Sequence, residues 1–153
     1  MTTIWLFFPA YVANATPVLL HGGGPVDGGR IWGDGRRILG DHKTVFGCIS
    51  GVAAGTAFGI VQGNPVQSFL FSLGAILGDL VFAFTKRRIG LPPGAPWPVG
   101  DQVGFIIVAI TLGSLVEPRP SLEQDVALLL TTIPVHYLSN IIAWFLRWKK
   151  DPW

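Results

Sequence analysis

Cysteine is nearly absent from this chain. Its one occurrence, Cys48, lies in an apolar stretch, which excludes an internal disulfide and points to packing rather than redox chemistry. Charge is scarce too. Asp, Glu, Lys and Arg make up 13% of the 153 residues, about half the roughly 25% of an ordinary soluble domain. Half of the chain is hydrophobic and the mean hydropathy is +0.50, so the polar surface that a water-soluble globule needs is missing. A sequence pI near 9.0 raises nucleic acid as a partner, but the placement of the cations argues against it. No serine stands near a histidine and an acid in a hydrolase-like arrangement, so nucleophilic catalysis by the protein is not indicated. His21 and His42 lack a third nitrogen or sulfur ligand, which disfavours zinc. No repeat relates the two halves, so the inverted-repeat architecture of many transporters is not visible.

Long apolar runs take the place of what is missing. They lie at 4–20, 45–61, 66–84, 99–116 and 126–148, and a membrane span needs roughly 17–25 such residues. The fourth is the weakest, because Gly100, Asp101 and Gln102 sit near its start. The expected fold is an all-α membrane protein, a single domain over 1–153. Its five transmembrane helices fall at about 4–20, 45–62, 66–85, 100–117 and 126–148, with cytoplasmic loops at 21–44 and 86–99. Placing alternate loops on opposite sides gathers Arg30, Arg36, Arg37, Lys43, Lys86, Arg87, Arg88, Arg147, Lys149 and Lys150 on one face and leaves only Arg119 opposite. The positive-inside rule makes the crowded face cytoplasmic. The amino terminus is then outside and the carboxy terminus cytoplasmic, in a multi-pass protein of the cell membrane. An even number of spans would destroy this segregation. The stretch 4–12 followed by Ala13-Asn14-Ala15 has the outline of a cleaved signal, but no basic segment precedes it.

Between the first two runs lies HGGGPVDGGRIWGDGRRILGDHKT, with eight glycines, three aspartates, three arginines and one lysine. Glycine allows positive φ and close backbone approach, bare amides form anion-binding concavities, and arginines add charge-assisted donors for phosphate. A phosphate-bearing substrate at a membrane surface is the simplest reading. The candidate nucleotide-binding residues here are Gly22, Gly23, Gly24, Asp27, Gly35, Arg37, Lys43 and Thr44. GRRILGDHKT has two residues too many before its lysine for a P-loop, yet Lys43 and Thr44 at a helix start place an ammonium, a hydroxyl and free amides near one anion. Arg36 and Arg37 either bind phosphate or anchor the loop to lipid head groups. Asp27, Asp34 and Asp41 either ligate metal, cap helices or order the glycines, the last role being favoured for Asp41.

Glycines 47, 51, 55, 59 and 63 recur every fourth residue, and Gly74 and Gly78 repeat the spacing. They predict close helix packing. Pro134 within the fifth run predicts a kink, with His136 and Asn140 either bonding between helices or lining a cavity.

Asp79, in SLGAILGDLVFAF, is the clearest candidate for chemistry, because an ionised carboxylate deep in an apolar span costs at least ~2.5–3.5 kcal/mol. Lys86 lies seven residues on, two helical turns away on the same face. Asp101 opens the next span. Two carboxylates near the cations Lys86, Arg87 and Arg88 suit Mg²⁺ holding a polyphosphate; the alternative is a metal-free pair of Asp79 with Lys or Arg. A phosphate monoester that itself attacks is already mostly dianionic, its second pKa being roughly 6 by analogy with phosphoamino acids. Such a reaction needs positioning and charge neutralisation more than a protein base.

GDLVFAFTKRRIGLPPGAPWPVGDQ resembles the cytidylyltransferase signature of membrane CDP-diacylglycerol synthases: an aspartate, a Lys-Arg pair, a proline-containing loop, then a second aspartate opening a helix. The Lys-Asp and Gly-His-Gly-Gly elements of the bacterial pattern are missing. The archaeal relatives, the CDP-archaeol synthases, are more similar, from ANATPVLLHGGGPVDGG through DGRRILGDHKT-FG to GDLVFAFTKRR and PVGDQ. The resemblance implies Mg²⁺-dependent transfer of CMP from CTP to an isoprenoid ether lipid phosphate, 2,3-bis-O-geranylgeranylglycerol 1-phosphate, with release of pyrophosphate. It implies catalytic roles for Asp79, Lys86, Arg87 and Asp101, Mg²⁺ on Asp79 and Asp101, nucleotide contacts by the loop residues above and Arg88, and a lipid contact by Asn14. Two rivals remain: a CTP-dependent lipid kinase of the polyprenol type, and a small anion transporter.

Overall fold

The computed structural model describes residues 3–93, 95–97 and 99–148. Five α-helices follow one another: α1 Thr3–Leu19, α2 Val45–Val61, α3 Pro65–Arg88, α4 Gly100–Gly113 and α5 Leu122–Phe145. Each answers to one apolar run, with shifted ends. α3 continues through Lys86, Arg87 and Arg88, because cations are favourable beside the carbonyls of a last helical turn. α4 stops at Gly113 rather than 117. α5 starts earlier than expected, where Ser121 and Gln124 form a reciprocal capping box that satisfies two otherwise unpaired backbone amides. The 24-residue helices α3 and α5 are long and apolar enough to cross a membrane; α1, α2 and α4 are shorter apolar helices of 17, 17 and 14 residues.

The glycine ladder explains how the helices pack. Gly47, Gly51, Gly55 and Gly59 are all buried. A Cβ at Gly51 would stand 2.7 Å from the Ala13 carbonyl oxygen, one at Gly55 2.5 Å from that of Pro9, and one at Gly59 would collide with the Cβ of Ser68. α2 therefore fits between α1 and α3 only because it lacks side chains there. Gly63 is not part of this ridge; it turns the chain between α2 and α3 at φ +78°. The same device joins α3 to α4, where a Cβ at Gly74 would lie 2.6 Å from the Ala109 Cα and one at Gly78 2.7 Å from the Gly104 carbonyl oxygen. These contacts set antiparallel registers through α1 to α4. Phe7, Phe71, Phe105, Ile106 and Leu128 fill the core between them, with the Phe7 and Phe71 rings 4.6 Å apart.

α5 is peripheral. Only Leu128 and Thr132 are buried along it, and the Thr132 hydroxyl meets the Tyr11 hydroxyl at 2.5 Å. The helix runs through Pro134 without interruption, and Asn140 and His136 bond to each other along it at 3.2 Å. The His136 ring lies 6.1 Å from Phe105 on α4. Arg147 follows the helix end; Lys149 and Lys150, which contribute to the charge segregation, lie outside the described residues.

Candidate active site

The loop between α1 and α2 is a folded lobe. Val26 N donates to Lys43 O (2.7 Å) and Val45 N to Gly24 O (3.1 Å), closing its base, while Trp32 N donates to Arg36 O (2.8 Å) and Ile38 N to Arg30 O (3.1 Å), closing its tip. Asp27 organises the space between. Its side chain is 1% exposed and accepts from Arg37 Nη2 (2.9 Å), Leu39 N (2.9 Å), Gly29 N (3.0 Å) and Gly40 N (3.2 Å). Burial alone would raise its pKa, but Arg37 and the three amides outweigh that and hold the carboxyl well below the usual carboxylate range. Gly28 and Gly29, at φ +58° and +79°, bend the chain so that the Gly29 amide reaches Asp27. The ordering role expected of Asp41 therefore belongs to Asp27. Asp41 is 74% exposed and, among the described residues, forms an ion pair only with Arg37. Both oxygens of Asp27 and much of the Arg37 guanidinium are engaged inside the lobe, which makes them framework rather than open ligand positions.

Below the lobe sit two acid–lysine pairs. Lys43 Nζ chelates Asp79 at 2.6 and 2.7 Å, and Lys86 Nζ chelates Asp101 at 2.8 and 2.9 Å. The sequence placed Lys86 two turns from Asp79 on the same face and left open a metal-free pair of Asp79 with Lys or Arg; such a pair is present, with Lys43 as its base. Each acid takes a lysine from another element, because packing brings the lobe over Asp79 and the start of α4 against the end of α3. Asp79 is also one-third exposed, so it is not sealed in the apolar interior that its neighbours suggest. Gly78 faces Gly104 and Phe105, so Asp79 and Asp101 lie within about one turn of each other along the α3–α4 contact. Asp101 also accepts from Trp97 N at 2.9 Å, and the Trp97 ring stacks at 5.5 Å on Phe82. This aromatic brace beside Asp101 was not foreseen; its signal was a tryptophan set among prolines shortly before the acid.

The three cations ending α3 differ. Lys86 is paired. The Arg88 guanidinium is engaged through both Nη atoms, donating to Asp34 (3.0 Å) and Arg37 O (2.6 Å) and lying 4.8 Å over the Phe84 ring, with only its Nε buried and unpartnered. Arg87 is 5% exposed, and its Nε and Nη1 are buried without a hydrogen-bond partner. A buried guanidinium left unsatisfied is costly, so Arg87 is the cation here most in need of an anion.

Of the other candidates, Thr44 is the N-cap of α2. Its oxygen accepts from Gly47 N (3.1 Å) and Gly22 N (3.5 Å), which leaves its O–H for a ligand. Gly22, Gly23 and Gly24 run beside the start of α2, where Gly23 faces Phe46. Gly35 turns the lobe tip at φ +77°, away from the pairs. Asn14 is half-buried on α1, and among the described residues no hydrogen bond joins it to either pair.

Among the described residues no three of His, Cys, Asp and Glu cluster as a metal cage. The donor set still fits Mg²⁺, which takes one or two carboxylates and fills its remaining positions with phosphate oxygens and water. Asp79 and Asp101 each already hold a cation, an ammonium, across both oxygens.

Three comparisons bear on this geometry. The family described as CarS-like: CDP-archaeol synthase matches residues 1–153. The chain is 42% identical to a CDP-archaeol synthase of Pyrococcus furiosus, over 100% of this chain and 98% of that one, and 46% identical to one of Thermococcus onnurineus, over 97% and 94%. A solved structure, described as that of an intramembrane enzyme for archaeal membrane lipids biosynthesis, superposes with a TM-score of 0.84 at 39% identity and covers 90% of this chain and 92% of that one.

Proposed function

The chain belongs to the CDP-archaeol synthase family and is a nucleotidyltransferase; from that premise we propose that it is a Mg²⁺-dependent CTP:2,3-bis-O-(geranylgeranyl)-sn-glycerol 1-phosphate cytidylyltransferase. It makes the CDP-activated lipid and pyrophosphate, works as a multi-pass protein of the cell membrane, and opens its site to the cytoplasm. The observation that carries the reading is the pair of lysine-held acids on facing helices, with the unsatisfied Arg87 guanidinium beside them.

Asp79 and Asp101 would hold Mg²⁺, which would supply charge neutralisation for the triphosphate. Lys43 and Lys86, freed from the acids, turn to the phosphates as point charges. Arg87 offers a planar fork of donors to the charge that develops on the α-phosphoryl group and on the leaving pyrophosphate. Gly22, Gly23 and Gly24, with the amides opening α2, lie where a phosphate is welcome. The lipid phosphate, mostly dianionic near neutrality, attacks the α-phosphorus in line. The new P–O bond forms as the bond to the β-phosphate oxygen breaks, and no proton has to be removed from the attacking oxygen. The lipid tails lie against the apolar flank, where Asn14 marks the level of the glycerol.

Support for membrane placement comes from the outward apolar faces of α3 and α5 and from the cations gathered around the lobe and the end of α3. Counted along the sequence, five spans would put the amino terminus outside and the carboxy terminus in the cytoplasm.

The test is to incubate purified protein with the lipid phosphate, Mg²⁺ and α-³²P-labelled CTP. Label entering the lipid phase, with release of unlabelled pyrophosphate, is expected. Label appearing as CDP means a lipid kinase, and ion flux without CTP consumption means a transporter; either outcome overturns the reading.

A further inference from the structure

One residue of the lobe does none of the work described so far. Arg36 is exposed and makes no ion pair among the described residues, yet its Nη1 reaches across 51 and 52 residues of sequence to the carbonyl oxygens of Arg87 (3.1 Å) and Arg88 (2.9 Å). These belong to the last turn of α3, whose carbonyls have no partner within the helix. A cation there also complements the negative end of the helix dipole. The chain then reverses tightly: Ile89 N donates to Thr85 O (3.0 Å), Gly90 N to Arg87 O (3.2 Å) and Leu91 N to Lys86 O (2.9 Å). Gly90 sits at φ +89°, and a Cβ there would stand 3.3 Å from Arg36 Nη1, so the guanidinium packs onto a bare backbone. Arg88 completes the connection in the other direction, through Asp34 and the Arg37 carbonyl.

We propose that Arg36 is a positioning residue for the nucleotidyl transfer: by capping α3 from the lobe it fixes the turn that carries Lys86 and Arg87, and so aims the Arg87 guanidinium at the reacting phosphates. The inference rests on the proposed function for what Arg87 contacts, but the cap itself does not. Arg36 binds no substrate in this account. It acts through Arg87.

Two measurements test it. The first, independent of activity, is amide hydrogen exchange in detergent micelles. Arg36→Ala is expected to speed exchange at Ile89, Gly90 and Leu91 at least tenfold and to leave the buried middle of α2 unchanged; unchanged exchange at 89–91 overturns the proposal. The second is a double-mutant cycle on cytidylyl transfer. Arg36→Ala is expected to lower kcat at least tenfold with the KM for CTP within about threefold, and Arg36→Ala/Arg87→Ala to be no slower than Arg87→Ala alone. An additive double variant, or a loss confined to KM, means that Arg36 touches the nucleotide itself and overturns the proposal. Full activity of Arg87→Ala would remove the assigned role of Arg87 and the aiming with it, while the exchange data still report on the cap. Should Arg36→Ala not fold, Arg36→Gln, which keeps a donor for one carbonyl, is expected to show an intermediate effect on both readouts.

Discussion

The two halves of α3 are held in opposite ways. From Pro65 to Gly78 the helix is fixed by contact: Ser68 and Ser72 fill the notches left by Gly59 and Gly55, and Gly74 and Gly78 lie against the α4 backbone. From Asp79 to Arg88 it is fixed by charge and hydrogen bonds, through Lys43, Asp101, Asp34 and Arg36. Backbone contact between glycines has no alternative partner, so the first half has one arrangement. In an ammonium–carboxylate pair, by contrast, the acid can trade its partner for a metal ion and the lysine can trade its own for a phosphate. The second half is therefore the place where a substrate can compete with the protein's own contacts, and the rigid half supplies the platform it moves against.

That contrast can be broken at either end. The largest effect is expected in the charged half: Asp79→Asn should lower kcat by on the order of 10²–10³, the range seen when one electrostatic partner of a transition state is removed, with the thermal midpoint nearly unchanged. Wild-type initial rates for this variant would remove the metal assignment. In the packed half the expectation reverses. Gly59→Ala should destabilise the protein by about 1–3 kcal/mol, as overpacking does, seen as a lower melting temperature in detergent with kcat preserved in the folded fraction. Ser68→Gly should recover much of that loss, because the clash is with the Ser68 Cβ itself; no recovery would mean that the α2–α3 contact is not what limits stability.

A smaller effect concerns the lobe. The folded pKa of Asp27 lies below its unfolded value of about 3.9, so the unfolded chain binds the proton more readily. Its contribution is complete above that pH and is lost as pH falls through the folded value. Thermal stability should be flat with respect to this group from neutrality to about pH 5 and fall below about pH 4. Asp27→Asn should lower stability at pH 7 by about 1–3 kcal/mol, since it leaves buried donors poorly matched, and should flatten the acid limb of the melting curve. An unchanged acid limb would show that the carboxylate is not what orders the lobe. The smallest effect is expected on the far side, at the pair Arg119–Glu117, 66% and 75% exposed. Arg119→Gln should change stability by less than about 0.5 kcal/mol and leave the rate of cytidylyl transfer unaltered.

Much of this was legible in the residues. The five apolar runs became the five helices, since a run of apolar side chains in a membrane-like composition has few other ways to satisfy its backbone. The four-residue glycine spacing became the α2 ridge for the same local reason, Gly63 apart. Asp79, Lys86, Arg87 and Asp101 do gather at one end. What sequence spacing could not reveal was who pairs with whom. Asp79 and Lys86 share a helical face, yet Lys43 and Asp101 win the contacts because they come from elements that fold over that face. Arg88 and Arg37, expected to contact nucleotide, have their Nη atoms engaged with Asp34, Arg37 O, Asp27 and Asp41, which no reading of charge along the chain could reveal.

Apolar runs, glycine periods and the clustering of cations along the chain are set by neighbours within a few turns, and for that reason the amino-acid order by itself determined the helices, their close packing and which end carries the charge. The pairing of each acid, the burial of Asp27, the cap on α3 and the unsatisfied state of Arg87 depend on groups tens of residues apart. Only the tertiary structure decided them, because an ion pair or a cap is chosen by the distance between side chains in space, on which their separation in sequence places almost no limit.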